Sequence, residues 1–193
     1  MPRIRDERKR GIILGAAKTL FATNGFFKTS IQDIVGETGL PIGSIYTYFK
    51  GKEEIISAIV AEGWENSKKK MTGLLAAKIP AREKLRKIVE DFLPELLKDM
   101  DFINILLSEA LVYTRIEEKL EFLADIMFQF VKELDGAANI PVNRQMMDTA
   151  LIVYFLGVLN AARLTRSTSV GIKISDIIAF TKTSIEASLG IKL

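Results

Sequence analysis

Apolar residues recur three and four positions apart through almost the whole chain, period-two alternation is rare, and glycine or proline falls mainly where the pattern breaks. This predicts an all-α protein. The first helix is expected from about Asp6 to Asn24, burying Ile13, Ala16, Ala17, Leu20 and Phe21, with Gly25 as a left-handed cap. Thr29-Ser30-Ile31-Gln32 has capping-box spacing, the Thr29 hydroxyl accepting from the Gln32 backbone N–H while the Gln32 side chain reaches back. A short second helix therefore starts near Ser30, buries Ile31, Ile34 and Val35, and ends before Gly39. Leu40 to Phe49 has the look of a third short helix, with Pro41 in its first turn, where no N–H is needed, and Ile45 and Phe49 turned to the core. Two short helices around a glycine turn make a helix-turn-helix. Glu53 and Glu54 then suit the positive end of a long fourth helix.

Beyond about residue 72 the pattern changes to longer amphipathic helices, roughly 81 to 99, 102 to 113, 115 to 135, 143 to 166 and 174 to 189. Pro80, Asp99-Met100-Asp101, Gly136, Pro141 and Gly171 mark the joints. No repeat or flexible linker divides the chain, so residues 1–50 form one expected domain and 51–193 another, with the fourth helix belonging to both. Asp148 to Leu164 is apolar almost all round and must be covered on several sides. Its small residues Ala150, Gly157 and Ala161 allow close helix approach, and the stripe Ile174, Ile177, Ile178, Phe180, Thr181, Ile185 and Leu189 can complete a pair. Two such pairs make a four-helix interface, predicting a homodimer through the last two helices.

Composition narrows the chemistry. The 193 residues contain neither cysteine nor histidine, which removes disulfides, thiolate metal sites and the usual general base. With no phosphate-binding glycine loop or nucleophile motif either, no enzyme, metal or cofactor is expected. The N-terminus lacks a signal-peptide core, and the longest apolar run, Ala150 to Leu159, is too short to span a bilayer, so a cytoplasmic protein without a membrane partner is expected. The net charge of +3 is unevenly placed: residues 1–52 hold nine basic and four acidic side chains, and the remainder 18 and 20. A basic N-terminal quarter suggests a polyanion partner, although a solvated charged face would look the same.

The ordered set Ile13, Ala16-Ala17, Leu20-Phe21, Asn24-Gly25-Phe26, Thr29-Ser30-Ile31, Ile34, Thr38-Gly39, Gly43-Ser44-Ile45-Tyr46, Tyr48-Phe49 and Lys52-Glu53-Glu54-Ile55 resembles the N-terminal domain of the TetR family of bacterial and archaeal regulators. The resemblance runs from Arg10 to about Ala61; beyond it, only the architecture is similar. It implies an N-terminal helix-turn-helix binding a palindromic double-stranded DNA operator, and C-terminal helices that form a ligand pocket and a dimer interface. A repressor released by a small molecule is the expected activity. A helical carrier of lipids or other hydrophobes with a vestigial helix-turn-helix is the alternative, separable by its lack of salt-dependent DNA binding.

The residues support a DNA-facing third helix on their own chemistry. Gly43 permits close backbone approach, Tyr46 and Thr47 offer hydroxyl and thymine-methyl contacts, and Ser44, Tyr48 and Lys52 can donate to phosphates. Thr29 and Ser30 would place backbone N–H groups against a further phosphate, and the Gln32 amide can pair with adenine. Ile42, following Pro41, and Thr47 depart from the residues common in the family and point to readout through methyl contacts and DNA shape. Capping and packing roles remain the plain alternatives for Thr29, Tyr46 and Tyr48. In the second domain Phe92, Leu96, Phe102, Leu106, Phe122, Met127, Tyr154 and Phe155 could line a pocket for an unidentified lipophilic effector, with Glu109, Asn160 and Arg163 orienting a polar group. Core packing uses the same residue types.

Overall fold

The computed structural model describes residues 6–108, 112–134, 143–169 and 171–193, and among them every regular element is helical. Arg3, Arg5, Glu109, Gly136 and Pro141 lie outside the described residues. The elements are α1 (Glu7–Asn24), α2 (Ile31–Thr38), α3 (Ile42–Tyr48), α4 (Lys52–Ala76), α5 (Ala81–Lys87), a π-helical turn (Ile88–Phe92), α6 (Leu93–Leu96), α7 (Met100–Leu106), α8 (Ile116–Lys132), α9 (Arg144–Ser167) and α10 (Ile174–Leu189).

The chain divides into two compact units. The N-terminal unit comprises residues 1–66 and 100–115, so it reaches beyond the boundary expected at residue 50 and takes in α7. Burial explains this, since the apolar positions of α7 have their partners on α1 and α4. Phe102 and Ile103 are buried, and a Cβ at Gly63 of α4 would fall 2.5 Å from the Phe102 ring. Glycine there permits the close approach. Ile13, Ala17 and Phe21 of α1, Ile34 of α2, Ile45 of α3, and Ile55, Ile56, Ile59 and Val60 of α4 are also buried, the α1 residues four apart and the two α4 pairs one helical turn apart.

Local signals set the helix ends in this unit. The Asp6 carboxylate accepts from the Arg8 N–H at the start of α1, and Gly25 stops the helix with φ 86°, ψ 153°, positive in φ though not the left-handed helical conformation expected. α2 is capped by Ser30, not Thr29: Ser30 Oγ accepts from the Asp33 N–H, and the Asp33 carboxylate accepts from the Ser30 N–H. Gly39 closes α2 at φ 66°, ψ 7°.

The C-terminal unit comprises residues 67–99 and 116–193. Its core joins Met71 of α4, Ala81 and Leu85 of α5, and Ile126 and Phe130 of α8, with Phe122, Met127 and the C-terminal Leu193 packed against it. Lys84 is buried at the α5–α8 contact, its ammonium donating to Glu133 at 3.2 Å and to the Leu75 carbonyl at 3.2 Å, 5.2 Å from the Phe130 ring centre. The single helix expected over 81 to 99 is interrupted. Pro94 has no N–H and its ring crowds the carbonyl four residues back, and the chain answers with the π turn, in which the Leu93 N–H reaches Ile88 O.

α9 spans 24 residues and is largely uncovered: Ile152, Val153, Tyr154 and Leu164 are exposed, as is Phe180 of α10, at 70%. Contrary to the expectation from the shorter apolar run, α9 is by length and composition apolar enough to cross a membrane. Its exposed apolar face requires some cover.

Candidate nucleic-acid interface and ligand cavity

α3 separates its residues by face. Ile45 is fully buried and Phe49, at its C-terminal cap, is 3% exposed, whereas Ile42, Gly43, Tyr46 and Thr47 are exposed and Ser44 is half-buried. The exposed face therefore presents a branched alkyl group, a bare backbone position, a phenol and a hydroxyl with a methyl. The Thr47 hydroxyl donates to Gly43 O at 2.8 Å, leaving its oxygen lone pairs and methyl outward. A Cβ at Gly43 would meet no atom within 4 Å, so this glycine faces open space. Gln32 on α2 is exposed. These groups occupy the helix-turn-helix face expected to meet bases.

The residues expected to contact phosphates are largely engaged within the protein. Thr29 is buried, and its hydroxyl donates to Gly25 O at 2.9 Å, with Leu20 O at 3.3 Å, so it closes the turn behind α1. Its N–H is bonded to Gly25 O and that of Ser30 to Asp33, which leaves neither backbone donor for a phosphate. The first-turn donors that remain are the N–H groups of Ile31 and Gln32. Asp33 accepts from both the backbone and the hydroxyl of Ser30, and these bonds hold its carboxyl below the usual aspartate range.

Lys52 is likewise turned inward. Its ammonium donates to the carbonyls of Phe26 at 2.9 Å, Thr29 at 3.0 Å and Phe27 at 3.2 Å, and lies 4.7 Å from the Phe26 ring centre. An ammonium has three N–H donors, and three carbonyls occupy them. Sequence gave no signal of this, because the acceptors are backbone atoms. The Tyr48 hydroxyl accepts from the Asp6 N–H at 3.0 Å and donates to Asp6 O at 3.2 Å, tying the end of α3 to the start of α1. Arg10 lies over the Phe49 ring and pairs with Glu62, a link the sequence reading missed. Lys28 and Lys50 are exposed and form no ion pair among the described residues, so they are the better-placed cations at the ends of the motif.

Of the residues considered for a pocket, Phe92 lines an open cavity of about 530 Å³ in the C-terminal unit, between the last turns of α4 and the π turn. Phe102 and Leu106 are instead buried in the N-terminal unit, because α7 belongs to it. Phe122 and Met127 pack against the α5–α8 core. Leu96 is half-buried on α6; Tyr154 is exposed and Phe155 half-buried on α9. Asn160 donates to Leu156 O and accepts from Arg163, so both are engaged along α9 itself. The cavity also contains Lys70, Lys87, Asp91 and Glu95, which helical periodicity alone did not single out.

Buried Ile45 and Phe49 beneath an exposed α3 face, preceded by the capped α2 and the Gly39 turn, define a helix-turn-helix protein. Residues 13–59 match the family model described as "Bacterial regulatory proteins, tetR family". The Bacillus subtilis regulator YerO is 34% identical over 110 residues, covering 55% of this chain and 37% of that protein. The fatty acid metabolism regulator protein of the same organism is 31% identical over 77 residues, 40% of each chain. Across the full fold, the transcriptional regulator FadR of Bacillus subtilis, solved in complex with stearoyl-CoA, superposes with a TM-score of 0.74 at 20% identity, covering 93% of this chain and 97% of its own. Over residues 13–59 the helix-turn-helix domain of this chain is of the TetR-family type. The matched stretches span 32%, 37% and 46% of the length of the Bacillus subtilis regulators YfiR, YerO and YuxN.

Proposed function

We propose that the chain is a homodimeric, ligand-responsive transcription regulator that binds a palindromic operator and is released from it, as a repressor, by a lipophilic small molecule. The exposed α3 face of Ile42, Gly43, Tyr46 and Thr47 over buried Ile45 carries this reading. It offers methyl, hydroxyl and bare-backbone surface of the kind a major groove accepts, with Gln32 beside it for adenine and Ser44 at its edge. Lys28, Lys50 and the Ile31 and Gln32 N–H groups supply the phosphate contacts, in place of Thr29, Ser30, Tyr48 and Lys52. The uncovered apolar faces of α9 and α10 support pairing of two copies, which would hold two α3 helices at the spacing of successive major grooves. A lipophilic effector is favoured by the apolar cavity beside Phe92 and by the stearoyl-CoA bound to the structurally similar FadR.

Fluorescence anisotropy against duplexes selected from random sequence tests the reading. An inverted repeat should emerge, with log K falling linearly in log salt concentration, as counterion release requires. Replacing Gln32 or Thr47 by alanine should alter the preference among operator variants by about 1–3 kcal/mol at the affected base pair, leaving other positions unchanged. A chain that binds hydrophobic ligands but no duplex with salt-dependent affinity would be a carrier, not a regulator.

A further inference from the structure

The cavity between the end of α4 and the π turn has a floor of one character and a rim of another. Met71, Leu74, Ile79, Ile88 and Phe92 make the floor, and Met71 is also part of the core beneath, so this surface is anchored. The rim carries two ion pairs, Lys70 to Glu95 at 2.5 Å and Lys87 to Asp91 at 3.6 Å. The π turn contributes Ile88, Asp91 and Phe92 to the cavity, so the helical irregularity imposed next to Pro94 lies in its wall. Its volume, about 530 Å³, falls in the range of small-molecule sites, about 300–1,000 Å³.

We propose that this cavity is the effector site and takes an amphiphile with a single anionic head, its alkyl part lying on Met71, Leu74, Ile88 and Phe92 and its head engaging Lys87 and Lys70. The proposal rests on the lipophilic-effector reading above. Charge decides the sign of the head: residues 67–99 hold nine basic and five acidic side chains, so the surrounding field favours an anion. Both rim pairs are largely solvent-exposed, and such pairs are held weakly. An incoming carboxylate or phosphate can therefore take an ammonium from Asp91 or Glu95, which remain hydrated. The looser Lys87 pair exchanges first. The bound alkyl chain bridges α4 and the π turn, which both line the cavity.

Gly73 gives access to a test that spares the core, because it lines the cavity and a Cβ there would meet no atom within 4 Å. Equilibrium dialysis of the full chain with radiolabelled hexadecanoate below its micelle concentration should show saturable binding, with hexadecanol and hexadecylamine competing at least tenfold less well. Gly73→Phe should abolish that binding while its circular dichroism and thermal midpoint stay at or above those of the unaltered chain. Lys87→Gln should weaken hexadecanoate about fivefold or more and leave the weaker competition by hexadecanol unchanged. Equal or better competition by hexadecylamine overturns the anionic assignment. If hexadecanoate binds Gly73→Phe undiminished and releases its operator as it does for the unaltered chain, the effector reading stands and this site falls. If none of the three binds or releases DNA, both fall.

Discussion

Lys52 shows how much a side chain's role depends on what folds around it. Beside an aromatic-rich recognition helix it has the chemistry of a phosphate contact, yet its ammonium is enclosed by the carbonyls of Phe26, Phe27 and Thr29, residues 23 to 26 positions away. That geometry makes it the tie between the start of α4 and the turn that carries α2. Lys52→Met should lower stability by about 1–3 kcal/mol, as loss of charge-assisted hydrogen bonds does, and reduce operator affinity through disorder of the turn. The slope of log K against log salt should stay the same, since no phosphate contact is lost. Lys52→Arg separates the two roles: a planar guanidinium binds phosphate well but cannot converge on three carbonyls from one point. Arginine should therefore fail to restore the thermal midpoint. Full restoration of operator affinity by arginine would return the residue to the DNA interface.

Among the elements, α2 depends most on its cap, having only eight residues and Ile34 as its one fully buried side chain. Ser30→Ala should cost about 1 kcal/mol of stability. The same substitution has a pH signature. Asp33 is held below its ordinary range by the Ser30 bonds, so its contribution is complete above about pH 4 and is lost as pH falls through the depressed value. Urea titrations from pH 6 down to pH 2 should show a shallower acid-side loss for Ser30→Ala than for the unaltered chain. The backbone N–H of residue 30 still donates to Asp33 in the variant, so a parallel pair of curves would mean that the Ser30 hydroxyl does not bond Asp33 in solution. The capping signal was legible in sequence, but the spacing of Thr29 and Gln32 puts it one residue early. Burial of Thr29, whose hydroxyl donates to Gly25 O with Leu20 O nearby, leaves the cap to Ser30 and Asp33.

At the scale of the whole molecule, specific operator binding needs two helix-turn-helix units at a fixed separation, roughly 34 Å between half-site centres. The uncovered faces of α9 and α10 are the surface available to fix it. Gly157 lies exposed on α9, and a Cβ there would meet nothing within 4 Å, so a larger residue fits the folded subunit. Gly157→Arg should leave the helical content unchanged and cost several kcal/mol of association by burying an unpaired charge in an apolar contact. Sedimentation should then show a monomer whose residual DNA binding is weak and unspecific. A dimer with full operator affinity would place the interface elsewhere.

Sequence alone determined the helical class, most helix limits and the position of the helix-turn-helix, because periodicity, caps and glycine turns act within a few residues of one another. α10 was legible to the residue, from Ile174 to Leu189, for that reason. The sequence also marked Ile45 for the core and Tyr46 for the surface, since adjacent positions on a seven-residue helix fall on different faces. Only the tertiary structure decided that α7 serves the N-terminal unit and removes Phe102 and Leu106 from any C-terminal pocket. It also decided that Tyr48 and Lys52 bond backbone atoms, and that Pro94 opens a π turn beside a cavity rimmed by lysines. Each of these depends on which apolar faces and carbonyl groups meet across tens of residues, and no local pattern encodes that meeting.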